Sequence, residues 1–378
     1  MNDGEPSREH VAVDPDDRTA RLQRVADRVA SRRRVPHVVM GVAQGDGPFH
    51  WVGAAGAARP DGTPMRPETP YFVASVTKLF IATTVMQLHE QGDVALDASI
   101  TEYLPAEVTT GLHRRGGVDL TPRITVRNLL GHTSGLPDFL EDHGRGRPSL
   151  YDRIADGHDL AWDFDDVVRI TRDELTPTFP PQDPDARRVR ARYSDTGFQL
   201  LIAIIEAVTA RSFAVVLTER FLGPLGMRHT YLPGASEPLE ASGAPAELTA
   251  KGRPLHVPRA LESCHDLVGT ADDMLRFLRA LTRGELFEDP ATYRLMQARW
   301  NRILYPLRYG LGMMRYRIAA PFGPGRRAVT LVGHSGATGS WLFHCPELDL
   351  LLAGTVDRAD ARAAPFRLLP SVLRAWHG

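Results

Sequence analysis

From Val76 to Leu88 the chain turns apolar side chains in almost every direction a helix has: Leu79, Phe80, Ile81, Val85 and Met86 fall on different faces. A surface helix carries one apolar stripe, whereas a helix apolar all round needs neighbours all round. Gly92 and Asp93 close the run. It therefore has to pass through the middle of a core, and the rest of the chain has to supply the elements that wrap it. With 378 residues, 43% of them hydrophobic, there is chain enough for one large domain or two smaller lobes.

The wrapping elements are strands at both ends of the sequence. Val38–Ala43 and His50–Ala55 flank Gly45-Asp46-Gly47 and read as a hairpin, followed by a short extended Tyr71–Ala74. Near the C-terminus, Val329–Val332 and Trp341–His344 flank a Gly-rich turn, and Leu350–Thr355 is a third apolar run. Between them lie Pro-rich loops and helical patterns. Phe198–Val208 is a second strongly apolar helix, and Met274–Leu281 is a third, with Thr270 placed to cap it. Residues 1–17 read as an acidic, disordered tail. Residues 18–34 read as an amphipathic helix, with Leu22, Val25 and Val29 inward and Arg32-Arg33-Arg34 as its solvated C-terminal end. Ser371–Trp376 reads as a closing helix. The predicted fold class is α/β (α+β): one antiparallel sheet built from both chain ends and flanked by helices, with a second, mainly helical lobe. The sheet lobe takes about residues 18–100 and 266–378, and the helical lobe about 101–265.

Of the 45 basic residues only Lys78 and Lys251 are lysines. An arginine stays protonated in proteins, whereas a lysine can give up its proton when burial or a neighbouring cation favours that. Lys78 follows Ser75 by three residues, one helical turn, so the two share a face. With 14 serines and 2 lysines in 378 residues, a chance Ser-x-x-Lys is expected roughly 0.07 times. A helix start also offers free backbone N–H groups that can hold an oxyanion. Nucleophile, base and part of an oxyanion hole can thus come from one short stretch; a serine cap beside an exposed lysine is the alternative.

Three further stretches bear on that choice: Tyr193-Ser194-Asp195 ahead of the second apolar helix, His334-Ser335-Gly336-Ala337 between two strands, and Leu129-Leu130-Gly131-His132-Thr133-Ser134-Gly135-Leu136 in the middle of the chain. In this order, over roughly residues 20–375, the set resembles the serine β-lactamase and penicillin-binding protein superfamily, in particular the branch with class C β-lactamases, DD-peptidases and related esterases. The resemblance implies a β-lactamase-like fold. It also implies Ser75 as the acylated nucleophile, Lys78 as its proton acceptor or relay, and Tyr193 as general acid–base, the last served by a neighbouring ammonium that stabilises its phenolate. Asp195 and the His334-Ser335-Gly336 strand then line the cleft, with the backbone N–H groups of Ser75 and Ala337 as the oxyanion hole.

Two positions depart from the family pattern. Asp195 stands where Asn is common; a carboxylate only accepts hydrogen bonds, and it favours the charged form of Lys78. His334 stands where many β-lactamases carry lysine and captures a substrate carboxylate more weakly. The Asp195 effects argue against recognition of β-lactam side-chain amides but not against ester hydrolysis, and histidine at position 334 is also common in the esterase-like branch. The arginine-rich segment 184–192 reads as a solvated loop, or else as a rim for anionic substrates. Gly333-His334-Ser335-Gly336-Ala337 is close to the G-x-S-x-G elbow, which would make Ser335 the nucleophile, but that elbow needs a helix after the strand. His132 reads as a hydrogen-bonded turn residue. Trp300, Tyr305, Tyr309 and Trp341 read equally as acyl-pocket or core residues.

Net charge −1 gives no reason to expect nucleic acid or an anionic membrane as partner, and no apolar run approaches the ~20 residues of a membrane span. Cys264 and Cys345 have no metal-ligand spacing and read as reduced thiols. The polar N-terminus has no secretory pattern, so a cytoplasmic protein is expected. The reading is a serine hydrolase for small ester or amide substrates, with no metal and no cofactor and an oligomeric state left open. The alternatives are an acyltransferase using the same site, a β-lactamase or DD-peptidase, and a non-catalytic binding protein that keeps the fold.

Overall fold

A strand buried on both faces loses the apolar–polar alternation and becomes a continuous apolar run, and two such strands form the centre of this structure. The computed structural model describes residues 15–32, 34–144 and 146–377. We number the eight strands of its main sheet β1 (His37–Gln44), β2 (His50–Gly56), β3 (Asn301–Leu304), β4 (Leu307–Tyr309), β5 (Met314–Ile318), β6 (Val329–Ser335), β7 (Trp341–Cys345) and β8 (Leu350–Thr355). They pair antiparallel in the order β2-β1-β8-β7-β6-β5-β4-β3. The pairing of β1 with β8 (Val39 opposite Thr355, Gln44 opposite Leu350) joins the two ends of the chain in one sheet, as expected. Three strands were not expected: β3, β4 and β5 extend the sheet on the far side of β6.

Five longer helices are numbered α1 (Pro15–Ala30), α2 (Thr77–Glu90), α3 (Asp195–Thr209), α4 (Ala271–Thr282) and α5 (Ala364–His377). On one face of the sheet, Val38, Met40, Val42, Leu350 and Leu352 meet α1 and α5 through Leu22, Val25, Leu369 and Leu373. On the other face, Val39, Ala43, Leu351 and Ala353 meet α2 and α4. Gly41 lets α4 come close, because a Cβ there would stand 2.8 Å from Leu275 Cδ1. From Thr77 to Leu88 every α2 residue except Gln87 is buried, and Phe80 stacks on Phe277 of α4 with centroids 3.6 Å apart. α2 also packs against α3, through Phe198, Leu201 and Ile205 in the same core. Thr270 caps α4 by accepting from the Asp273 N–H.

The N-terminal boundaries need correction. Residues 1–14 of the expected tail, and Arg33, lie outside the described residues. α1 already begins at Pro15 and ends at Ala30, so Arg32 and Arg34 lie beyond it and Arg28 is the cation of its last turn. Cys264 and Cys345 are free thiols. Among the described residues no single helix is long and apolar enough to cross a membrane.

Candidate active site

Ser75 is delivered by a sharp turn. Tyr71–Phe72 pairs antiparallel with Val268–Gly269, and the Val73 N–H donates to Leu267 O at 2.9 Å. Ala74 then adopts φ +50°, a left-handed conformation that costs a non-glycine residue about 1 kcal/mol. Ser75 sits in a single 3₁₀ turn, Ala74–Val76, which feeds α2, one step before the helix proper. Thr77 locks the turn: its hydroxyl donates to Ala74 O at 2.8 Å and accepts from the Leu267 N–H at 2.9 Å. Ser75 stays partly exposed while Lys78, on the first turn of α2, is 3% exposed. The expected pair is formed: Lys78 Nζ lies 3.2 Å from Ser75 Oγ.

Lys78 is also 2.5 Å from Asp195 Oδ1, at the N-terminus of α3, where a carboxylate suits the helix dipole. The rings of Tyr193 and Phe198 lie 5.4 Å from Nζ. Burial pulls the Lys78 ammonium toward its neutral form, but Asp195, Tyr193 and Asp266 together outweigh burial and hold it well above the ordinary lysine value. The Tyr193 hydroxyl is buried beside Ser75 and Lys78 and makes no well-aligned hydrogen bond. Burial raises its ionisation well above the usual tyrosine range, despite the opposing pull of Lys78. Burial thus favours the neutral phenol of Tyr193, and the neighbouring acids favour the charged form of Lys78.

The Tyr193 segment is extended and belongs to no strand; it is fastened to the loop that starts at His132. The Arg192 N–H donates to His132 O at 2.9 Å and the Ser194 N–H to His132 Nδ1 at 3.2 Å. Ser194 Oγ donates to Pro137 O at 2.8 Å, and the Asp195 N–H donates to Asp138 Oδ2 at 3.1 Å. Asp138 is buried, and burial, reinforced by Asp195, keeps its carboxyl well above the usual range. Asp138 and Asp266, whose carboxyl is pushed up to about 6 by burial against the pull of Lys78, carried no sequence motif. Arg192 pairs with Asp142, Arg190 lies over Phe179, and Arg187 and Arg188 are exposed, so 184–192 is largely solvated.

At the end of β6, His334 and Ser335 have different surroundings. His334 lies beside Tyr193, with ring centroids 6.3 Å apart. It is fully buried; Nε2 accepts from the Tyr309 hydroxyl at 2.9 Å and Nδ1–H donates to Ser335 O at 2.9 Å. Ser335 Oγ points to Met314 Sδ at 3.6 Å, and the chain continues through a turn into β7 instead of a helix, which removes the elbow geometry. Gly336 opens the turn that follows β6. Ser340 Oγ donates to Val73 O at 2.7 Å, and a Cβ on Gly336 would stand 2.8 Å from Ala74 Cβ, so this turn lies directly against the Ser75 turn. Among the described residues neither the Ser75 nor the Ala337 N–H has a protein acceptor. Tyr309 and Trp341 are core residues, Trp300 is half-buried under Arg315, and Tyr305 is exposed.

Burial first, and Lys78 second, push the His334 imidazole down to about 3. A folded value below the unfolded ~6.5 contributes stability that is full above pH 6.5 and lost as pH falls toward 3, at about 1.4 kcal/mol per pH unit in that window. His334→Gln, which stays neutral and can still accept from Tyr309, is expected to show a shallower loss between pH 6.5 and 4.5. Urea unfolding of both proteins at the two pH values checks this; equal slopes would sink it.

Residues 22–368 match the family model described as Beta-lactamase, and the chain belongs to that family. It is 32% identical over 290 residues to Esterase EstB of Burkholderia gladioli, which covers 69% of each chain. Over 268 residues it is 27% identical to Penicillin-binding protein 4 of Amycolatopsis lactamdurans, covering 69% of this chain and 63%, less than two thirds, of that one. The D-amino acid amidase from Ochrobactrum anthropi SV3 shares the fold, with a TM-score of 0.74 at 23% identity over 95% of this chain and 98% of that one.

Proposed function

We propose that this chain is a serine hydrolase that cleaves esters and small amides through an acyl-enzyme on Ser75. One observation carries the reading. A partly exposed serine hydroxyl is hydrogen-bonded to a buried lysine, that lysine is ion-paired to a carboxylate, and an unpartnered tyrosine hydroxyl stands beside both. Ser75 Oγ attacks the substrate carbonyl carbon. Its proton passes to Lys78 as Lys78 gives one to Asp195 across their short contact, so the ammonium is never lost from the site. The developing oxyanion is received by the N–H groups of Ser75 and Ala337. Tyr193, protonated at rest, donates to the leaving alkoxide or amine as the C–O or C–N bond breaks. The proton on Asp195 then returns through Lys78 to Tyr193. Water repeats the sequence on the acyl-enzyme: it gives up a proton along the same relay, and Ser75 regains one as it departs.

The kinship with Esterase EstB and the fold of a D-amino acid amidase agree with acyl transfer to water from ester or amide. His334 is a neutral imidazole where many β-lactamases carry lysine, and Asp195 offers an acceptor where an amide donor is common. Both features favour neutral esters and amides over β-lactams.

Intact mass after incubation with a fluorophosphonate, a nitrophenyl butanoate or a penicillin tests the reading. The expected result is one phosphonyl adduct, absent in Ser75→Ala, together with turnover of the ester. No adduct with any probe and no turnover would overturn it. Labelling that survives Ser75→Ala and vanishes in Ser335→Ala would move the nucleophile to Ser335.

A further inference from the structure

We propose that His132 is a positioning residue for the reaction, holding Tyr193 in place as a two-point clamp on the backbone either side of it. The inference rests on the reading of Tyr193 as the general acid–base. Tyr193 has no helix or strand of its own to fix it. The residue before it gives its N–H to the His132 carbonyl at 2.9 Å, and the residue after it gives its N–H to His132 Nδ1 at 3.2 Å. The imidazole itself packs on the Tyr193 ring, centroids 4.4 Å apart, and on Tyr309 at 4.4 Å. One residue therefore fixes the height, the direction and the ring plane of the tyrosine.

Three features of His132 fit that task. It adopts φ +54°, which carries its carbonyl and its side chain toward the same neighbouring segment. Its Nδ1 accepts a hydrogen bond, so the ring must be neutral with the proton on Nε2; burial, Lys78 and His334 keep it neutral, well below the ordinary histidine value. The Nε2–H is buried without a protein acceptor, a cost the site bears to keep the acceptor on Nδ1. A hydroxyl that must meet a leaving group over a bond as short as Ser75–Lys78 gains much from such fixing, since a displacement of about 1 Å can cost on the order of 10²-fold in rate.

The test is a cycle of variants on nitrophenyl butanoate. His132→Asn places an amide oxygen two bonds from Cβ, as Nδ1 is, and asparagine tolerates positive φ. It is expected to stay within about threefold of the parent kcat. His132→Ala is expected to lose on the order of 10²-fold in kcat with KM within about twofold. In a Tyr193→Phe background His132→Ala should cost less than about twofold more, because its effect runs through the hydroxyl that is already gone. Should the alanine variant not fold, His132→Gln, with its acceptor one methylene too far, replaces it in the cycle. Equal losses in the parent and Tyr193→Phe backgrounds, or an asparagine variant no better than alanine, would overturn the proposal. A Tyr193→Phe enzyme with full activity would instead overturn the role of Tyr193 itself.

Discussion

Lys78→Arg is expected to lower kcat for a nitrophenyl ester by about 10³-fold with KM within a few-fold, the mark of a lost transition-state contribution. Arginine keeps the positive charge, so the Asp195 carboxylate retains a partner and the substitution does not strand a buried anion. What it removes is the ability to take a proton: a guanidinium stays protonated and cannot pass the Ser75 proton onward. Its planar fork also cannot reproduce one nitrogen placed 3.2 Å from Ser75 Oγ and 2.5 Å from Asp195 Oδ1. Extra volume at a position 3% exposed carries a packing cost of about 1–3 kcal/mol, which thermal unfolding reports separately. Single-turnover release of nitrophenol measures acylation alone. Acylation close to the parent rate would show that the lysine supplies charge only, and the relay through Asp195 would fall with it.

The lysine was visible in the sequence because helical spacing is short-range: three residues from Ser75 fixes a shared face whatever the rest of the chain does. The central sheet was visible for a similar reason, since β1, β7 and β8 are apolar on both faces. The edge strands were not. In β3 the burial alternates half-exposed and exposed, and Arg302, Arg308, Arg315 and Arg317 mask the pattern along β3–β5. His334 is legible as a motif residue, but its hydrogen-bond partner is not, because that depends on the pairing of strands far apart in the sequence. Its partner Tyr309 lies 25 residues earlier on β4, a strand the periodicity did not show. The role of His132 depends on one positive φ and on a segment some sixty residues later, neither of which leaves a local mark.

Asp195→Asn tests the other half of the relay, and its effect on stability changes with pH. In the parent, Lys78 ionises well above the unfolded ~10.4, so its contribution to stability is full below that pH and is lost only as pH climbs through the raised folded value. Removing the carboxylate leaves burial as the dominant influence on an ammonium that is 3% exposed. Breaking a buried pair costs about 3–5 kcal/mol, and the nearby Asp266 carboxylate places this case at the lower end. The folded value then falls below ~10.4, so the penalty present at pH 7 is relieved as pH rises toward that value. The parent–variant gap in urea unfolding should therefore be about 3 kcal/mol at pH 7 and smaller at pH 9.5. Activity should follow the same titration. With the proton sink gone, the asparagine variant turns over ester slowly at pH 7 and recovers as Lys78 loses its own proton and serves as base directly. A stability gap that is the same at both pH values would mean that Asp195 does not set the ionisation of Lys78. A variant rate that fails to rise with pH would mean that the Ser75 proton leaves by some route other than the lysine.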